Sequence, residues 1–123
     1  MAGDDTRRSH GRRAESLVAA WLVEQGYEIV ATNLRIGMLE IDLVARQGPV
    51  VAVVEVRTRG PTARTTGFGS VTRLKRERIR RAGERLWQRR YRRDASVERL
   101  RFDVASVRLY TEPPTIEYVI AAF

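Results

Sequence analysis

Residues 36–58 read Ile36-Gly37-Met38-Leu39-Glu40-Ile41-Asp42-Leu43-Val44-Ala45-Arg46-Gln47-Gly48-Pro49-Val50-Val51-Ala52-Val53-Val54-Glu55-Val56-Arg57-Thr58. Ile36 to Ala45 and Val50 to Thr58 have the composition of two strands, with Gln47-Gly48-Pro49 as the turn. The run Val50 to Val54 is apolar on both faces, which predicts a central strand covered on both sides. Two acids interrupt this apolar text, Asp42 and Glu55. A carboxylate in a buried strand is costly unless it is paired, hydrogen-bonded or metal-bound. With the turn centred between Gly48 and Pro49, positions whose numbers add to 97 pair, so Asp42 is set opposite Glu55. Facing carboxylates repel, and a cation relieves the repulsion. Arg57 lies two residues past Glu55 and points to the same face. Glu15 is a third candidate, with the small residues Gly11 and Ala19 four positions to either side. Two readings stay open from spacing alone. One is an ion pair of these acids with Arg57 or Arg35 at a sheet edge, and the other is a metal site.

Outward from this hairpin the chain reads as one domain. Residues 1–10 are polar and form an expected flexible tail, leaving 11–123 as the domain. From Gly11 to Gln25, Ala14, Leu17, Val18, Trp21 and Leu22 recur at helical spacing, and Gly26 stands where a stop belongs. Tyr27 to Leu34 alternates as a strand. Residues 59–69 are rich in chain breakers, and Ser70 or Thr72 can cap a long helix running to about Tyr91. Leu100 to Leu109 and Ile116 to Ala121 complete the pattern as strands around a Glu112-Pro113-Pro114-Thr115 turn. The order α-β-β-β-α-β-β predicts a single α/β domain with a mixed central sheet flanked by helices.

Composition narrows the chemistry. With no cysteine among 123 residues, a disulfide framework, a thiol nucleophile and a Cys-based metal site are excluded. A single histidine, His10, excludes a His-clustered site. The longest apolar run is Val50 to Val54, far short of a membrane span, and the N-terminus begins Met-Ala-Gly-Asp-Asp without an apolar signal core. A soluble, cytoplasmic protein is the default expectation. The net charge of +8 is concentrated: residues 73–93 hold eleven basic and two acidic side chains, and the remainder holds 12 and 13. One segment therefore carries the whole surplus. That is the footprint expected for a polyanion partner, with a solvated helix face as the plainer alternative.

The spacing Asp42, then Glu55-Val56-Arg57 thirteen residues on, resembles the PD-(D/E)XK nuclease motif. Further landmarks are Gly11-x-x-x-Glu15, Gly26-Tyr27-x-Ile29, Asn33-x-Arg35, Glu40-Ile41-Asp42-Leu43, Val54-Glu55-Val56-Arg57-x-Arg59, Lys75 and Arg101-Phe102-Asp103-Val104. Together they are similar to the YraN-like bacterial proteins, an uncharacterised family of restriction-endonuclease-like fold, over nearly the whole chain. The core is also similar to archaeal Holliday-junction resolvases. The resemblance implies that Asp42, Glu55 and Glu15, with the Val56 carbonyl, hold Mg²⁺ or Mn²⁺. It implies metal-dependent hydrolysis of phosphodiesters in DNA, branched DNA included, with Asp42, Glu55 and Arg57 at the reacting centre; Lys75 is a further catalytic candidate. Arg35, Arg59, Arg73, Arg76 and Arg80 are the expected backbone contacts.

This chain departs from the pattern at two places. Arg57 stands where the motif has lysine, and Leu39 replaces the glycine before Glu40-Ile41-Asp42. A guanidinium cannot act as a general base, although it can position a phosphate. Lys75, the sole lysine, falls near the middle of the apolar stripe formed by Val71, Ile79, Ala82 and Leu86. A lysine so placed more often snorkels outward; the alternative is that it reaches the carboxylates and supplies the missing ammonium. The competing function is therefore a catalytically silent DNA- or RNA-binding module on the same fold. Trp21 and Trp87 read as packing residues, Phe68 as a candidate stacking residue, and Asp103 as a structural residue facing away from the core. The strand Ile116 to Phe123 offers an edge for a homodimer.

Overall fold

The hairpin forms as its residues dictate. In the computed structural model, which describes residues 2–60 and 72–123 with side chains from residue 9 onward, Leu39–Gln47 (β2) and Val50–Thr58 (β3) pair antiparallel. The register runs from Gln47 opposite Val50 to Leu43 opposite Val54. Gly48 makes the reversal possible with φ 58°, a left-handed conformation that costs glycine little. Glu28–Ile36 (β1) pairs antiparallel with β2, with an irregularity between Ile29 and Ala31. Arg99–Arg108 (β4) pairs parallel with β3, and Thr115–Val119 (β5) pairs antiparallel with β4. The sheet order β1-β2-β3-β4-β5 puts β3 at the centre and β5 at an edge.

Two apolar layers close over the sheet. The helix Ala2–Glu24 (α1) packs Ala14, Val18 and Leu22 with Leu43, Ala45, Ala52, Val54, Ala105 and Val107 on one face. The helix Arg73–Leu86 (α2) packs Ile79, Ala82 and Leu86 with Val44, Val51 and Val53 on the other. Thr72 caps α2: its hydroxyl accepts the Lys75 N–H at 3.2 Å. One π-helical turn, Trp87–Tyr91, continues it. Gly83 lets α2 approach β4, since a Cβ there would lie 2.6 Å from the Phe102 ring. Trp21 packs on Tyr118, with ring centroids 4.9 Å apart, and Trp87 joins the α2-side core.

The first helix starts at Ala2, not Gly11. No proline interrupts residues 2–10, and Asp4 and Asp5 fall in the first turn, where negative charge favours a helix N-terminus. Asp103 does not face away from the core; it is fully buried on the α1 side. Alternation misplaces it because β4 is covered on both faces, so polarity does not mark an outward face. Phe68, Ser70 and Val71 lie outside the described residues. Among the described residues, no helix is long and apolar enough to cross a membrane.

Candidate functional site

A cleft of about 560 Å³ opens on the α2 side, between the β1–β2 turn and the start of α2. Asp42, Glu55 and Lys75 line it together. Asp42 and Val44 share one face of β2, and Val53 and Glu55 share the same face of β3, as the period of two requires. Continuing the observed register by one step beyond Leu43–Val54 places Asp42 opposite Glu55. The Val56 N–H donates to Asp42 Oδ2 at 2.9 Å, which fastens the two strands at the site.

Lys75 reaches Glu55. Its Nζ lies 2.5 Å from Glu55 Oε1, while its side chain stays half exposed and that of Glu55 is buried. One helical turn earlier on the apolar stripe than Ile79, the lysine turns its ammonium toward Glu55 while half of its side chain stays in solvent. The ion pair weighed for Glu55 is thus made by Lys75, and Arg35 pairs weakly with Glu40 instead, at 4.0 Å.

The charge balance of the pair is incomplete. Burial, then the adjacent Glu55 charge, push the Asp42 carboxyl up to about 8, against the Val56 N–H, which pulls it down. Burial also raises Glu15, partly offset by the Asn33 side-chain amide, which donates to Glu15 Oε2 at 3.0 Å. The charges of Glu40 and Glu55 act on Glu15 in the same raising direction. Glu15 and Asn33 face a separate recess with Arg12 and Thr32. Among the described residues, no group of three or more acids and histidines is close enough to hold a metal ion.

Arg57 lies on the Glu55 face of β3, half buried, its guanidinium weakened by burial and by Arg59 and strengthened by Glu55. The Arg59 N–H donates to the Val107 carbonyl at 2.9 Å, just past the end of β3. Arg73 is exposed and pairs with Glu77 at 3.4 Å. Arg76 is half buried on α2. Arg80 does not approach the cleft; its guanidinium sits 5.6 Å above the Phe123 ring. Arg78 lines the cleft instead, with Glu40, Met38 and Leu74. Glu40 was legible from sequence, because Glu40-x-Asp42 puts both acids on one strand face. Met38 and Leu74 carry no such signal.

The model of the uncharacterised protein family UPF0102 matches residues 14–107. A UPF0102 protein of Sorangium cellulosum is 53% identical over 120 residues, which cover 97% of this chain and 83% of the relative. One of Anaeromyxobacter dehalogenans is 37% identical over 119 residues, covering 97% and 87%. One of Nocardia farcinica is 39% identical over 122 residues, covering 95% and 91%. The landmarks Glu15, Asp42, Glu55-Val56-Arg57 and Lys75 all lie inside the matched segment, and the chain belongs to the uncharacterised protein family UPF0102.

Proposed function

We propose that this protein is a divalent-metal-dependent nuclease acting on DNA. The observation that supports this reading best is the convergence of Asp42, Glu55 and Lys75 in an open cleft beside the basic helix α2. The donor chemistry fits Mg²⁺ or Mn²⁺: two carboxylates meet where burial and mutual repulsion leave Asp42 short of positive charge. Asp42 and Glu55 would hold the ion, with the Val56 backbone beside them and Glu15 from α1 as an outlying acid. When bound, the ion would acidify a water and stabilise the anionic phosphorane of an in-line attack on a phosphodiester.

The chain's own residues have separable tasks. The Val56 N–H orients Asp42. Lys75 neutralises Glu55 and carries an ammonium that can donate to a phosphate oxygen or exchange a proton with water, which the Arg57 guanidinium cannot. Arg57 and Arg78 attract and align the phosphodiester backbone. The exposed arginines of residues 73–93 supply the longer-range field that gathers a polyanion. A second copy pairing along the β5 edge belongs to the same reading, since β5 ends the sheet.

A silent nucleic-acid-binding module is the second reading. It draws on Arg57 in the motif-lysine position and on Glu15 being held by Asn33. End-labelled linear, flapped and four-way DNA, each incubated with Mg²⁺ or Mn²⁺, separates the two. The nuclease reading expects metal-dependent cleavage that Glu55→Ala abolishes while binding persists. Salt-dependent binding with all three substrates left intact decides for the module. Cleavage gained only on Arg57→Lys would show that the wild-type chain has lost the chemistry and kept the scaffold.

A further inference from the structure

The two lips of the cleft carry exposed apolar side chains. Met38, at the β1–β2 turn, is 97% exposed, and Leu74, in the first turn of α2, is 58% exposed. Both line the same cleft as Asp42 and Glu55. Single exposed apolar residues are ordinary on a protein surface. These two differ in their setting: they come from different elements, border one opening, and stand among charges of both signs, the cations Lys75 and Arg78 with the acids Glu40, Asp42 and Glu55. Arg78 lines the cleft, and Arg85 reaches the turn so closely that a Cβ on Gly37 would lie 3.3 Å from its guanidinium. Gly37 itself, at φ 62°, turns the chain so that Met38 projects at the tip while Ile36 and Leu39 return to the sheet.

An apolar pair beside two cations and a carboxylate pair that would hold a divalent ion has a complementary ligand chemistry: a flat, weakly polar ring system attached to an anionic chain. A nucleotide whose base has left the helical stack fits that description. Methionine and leucine are among the side chains that enter base steps or hold bases out of the stack, and the thioether is soft enough to adapt to any base. The cleft, about 560 Å³, is on the scale of pockets that enclose one small ligand, roughly 300–1,000 Å³.

We propose that Met38 and Leu74 pack against an unstacked base next to the phosphate presented to Asp42 and Glu55, so that the preferred substrate is DNA with an unpaired nucleotide rather than continuous duplex. This rests on the nucleic-acid reading above and names the substrate class of that same cleft. Specificity here comes from deformability, not from base identity: the base that leaves the stack most cheaply is the one held. Duplex DNA has to break both pairing and stacking before it can occupy the cleft, whereas an unpaired nucleotide at a gap or mismatch has only the smaller cost of unstacking.

Binding without cleavage tests it. Wild-type protein in EDTA is titrated into two fluorescein-labelled DNAs of one sequence, a continuous duplex and the same duplex with a short gap. A matched pair carries 2-aminopurine in the gap. Tighter binding to the gapped DNA by about tenfold is expected, with a rise in 2-aminopurine fluorescence as its base unstacks. Met38→Ser combined with Leu74→Ser should erase the preference and the rise while leaving duplex affinity unchanged. Both positions are exposed, and an unaltered circular dichroism melt confirms that the variant folds. Equal affinity for the two DNAs, or a preference that survives the double substitution, overturns the proposal and leaves the nucleic-acid reading standing. Binding to neither DNA removes both.

Discussion

Two carboxylate sites sit on opposite faces of the same sheet, and they are finished differently. On the α1 face, Asp103 is fully buried and fully answered. Arg101 donates to it through Nε and a terminal nitrogen, both at 2.9 Å, Tyr118 through its hydroxyl at 2.6 Å, and the Ala121 N–H at 2.9 Å. Arg101 also donates to the Tyr27 hydroxyl at 2.7 Å, so one network ties β4, β5 and the segment after α1. On the α2 face, Asp42 is held by the Val56 N–H and confronts Glu55, whose partner Lys75 stands half in solvent. The difference teaches how to tell a structural acid from a functional one in a buried strand. A structural acid has its donors supplied by the fold; a functional candidate is left short of positive charge and open to a cleft.

The largest effect expected from breaking this contrast is on stability. Asp103→Ala should destabilise the protein by about 3–5 kcal/mol in urea denaturation, because it strands the Arg101 guanidinium and the Tyr118 hydroxyl. Glu55→Gln should cost far less, since it removes a charge that opposes Asp42. Equal losses would show that the two sites are not different in kind.

A smaller, pH-dependent effect should follow from Asp42. Its carboxyl rises from 3.8 unfolded to about 8 folded, so the native state keeps a proton that the unfolded chain releases. That contribution is complete below about pH 4 and is lost as pH rises through about 8. Denaturation in metal-free buffer between those limits should therefore show Asp42→Asn gaining on wild type as pH increases. A gap between the two proteins that stays constant with pH would refute the assignment.

The smallest change in stability is expected at Lys75. Lys75→Met should shift it by about 1 kcal/mol, because the ammonium is half in solvent, although the buried Glu55 carboxylate loses its partner. Metal-dependent cleavage should fall by about a hundredfold or more. A stability loss that matches Asp103→Ala would make Lys75 a structural residue.

Much of this architecture was readable before any coordinates. The β2–β3 register follows from one turn, because Gly48 can take a left-handed conformation and the side-chain period of a strand is two. Once the register is set, Asp42 and Glu55 must share a face. Other features were not readable in this way. The azimuth of α2 over the sheet depends on Gly83 meeting Phe102, a contact far apart in sequence, and that azimuth decides which way Lys75 turns. Arg80, an expected phosphate-backbone contact, has its guanidinium over Phe123, a placement that depends on the same seating of α2. Glu15 illustrates a middle case: its place on α1 was legible, but its partner Asn33 lies on another element, in a left-handed conformation at φ 48°.

The amino-acid sequence by itself determined the pairing of β2 with β3, the two acids that share a face, and the segment that carries the positive surplus. These rest on local periodicity and short turns, which act within a few residues. Only the tertiary structure decided that the sole lysine closes on Glu55, that Asp103 is a completed network, and that Met38 and Leu74 border the cleft. Each of those depends on how helices seat against a sheet, and packing between distant segments sets that geometry.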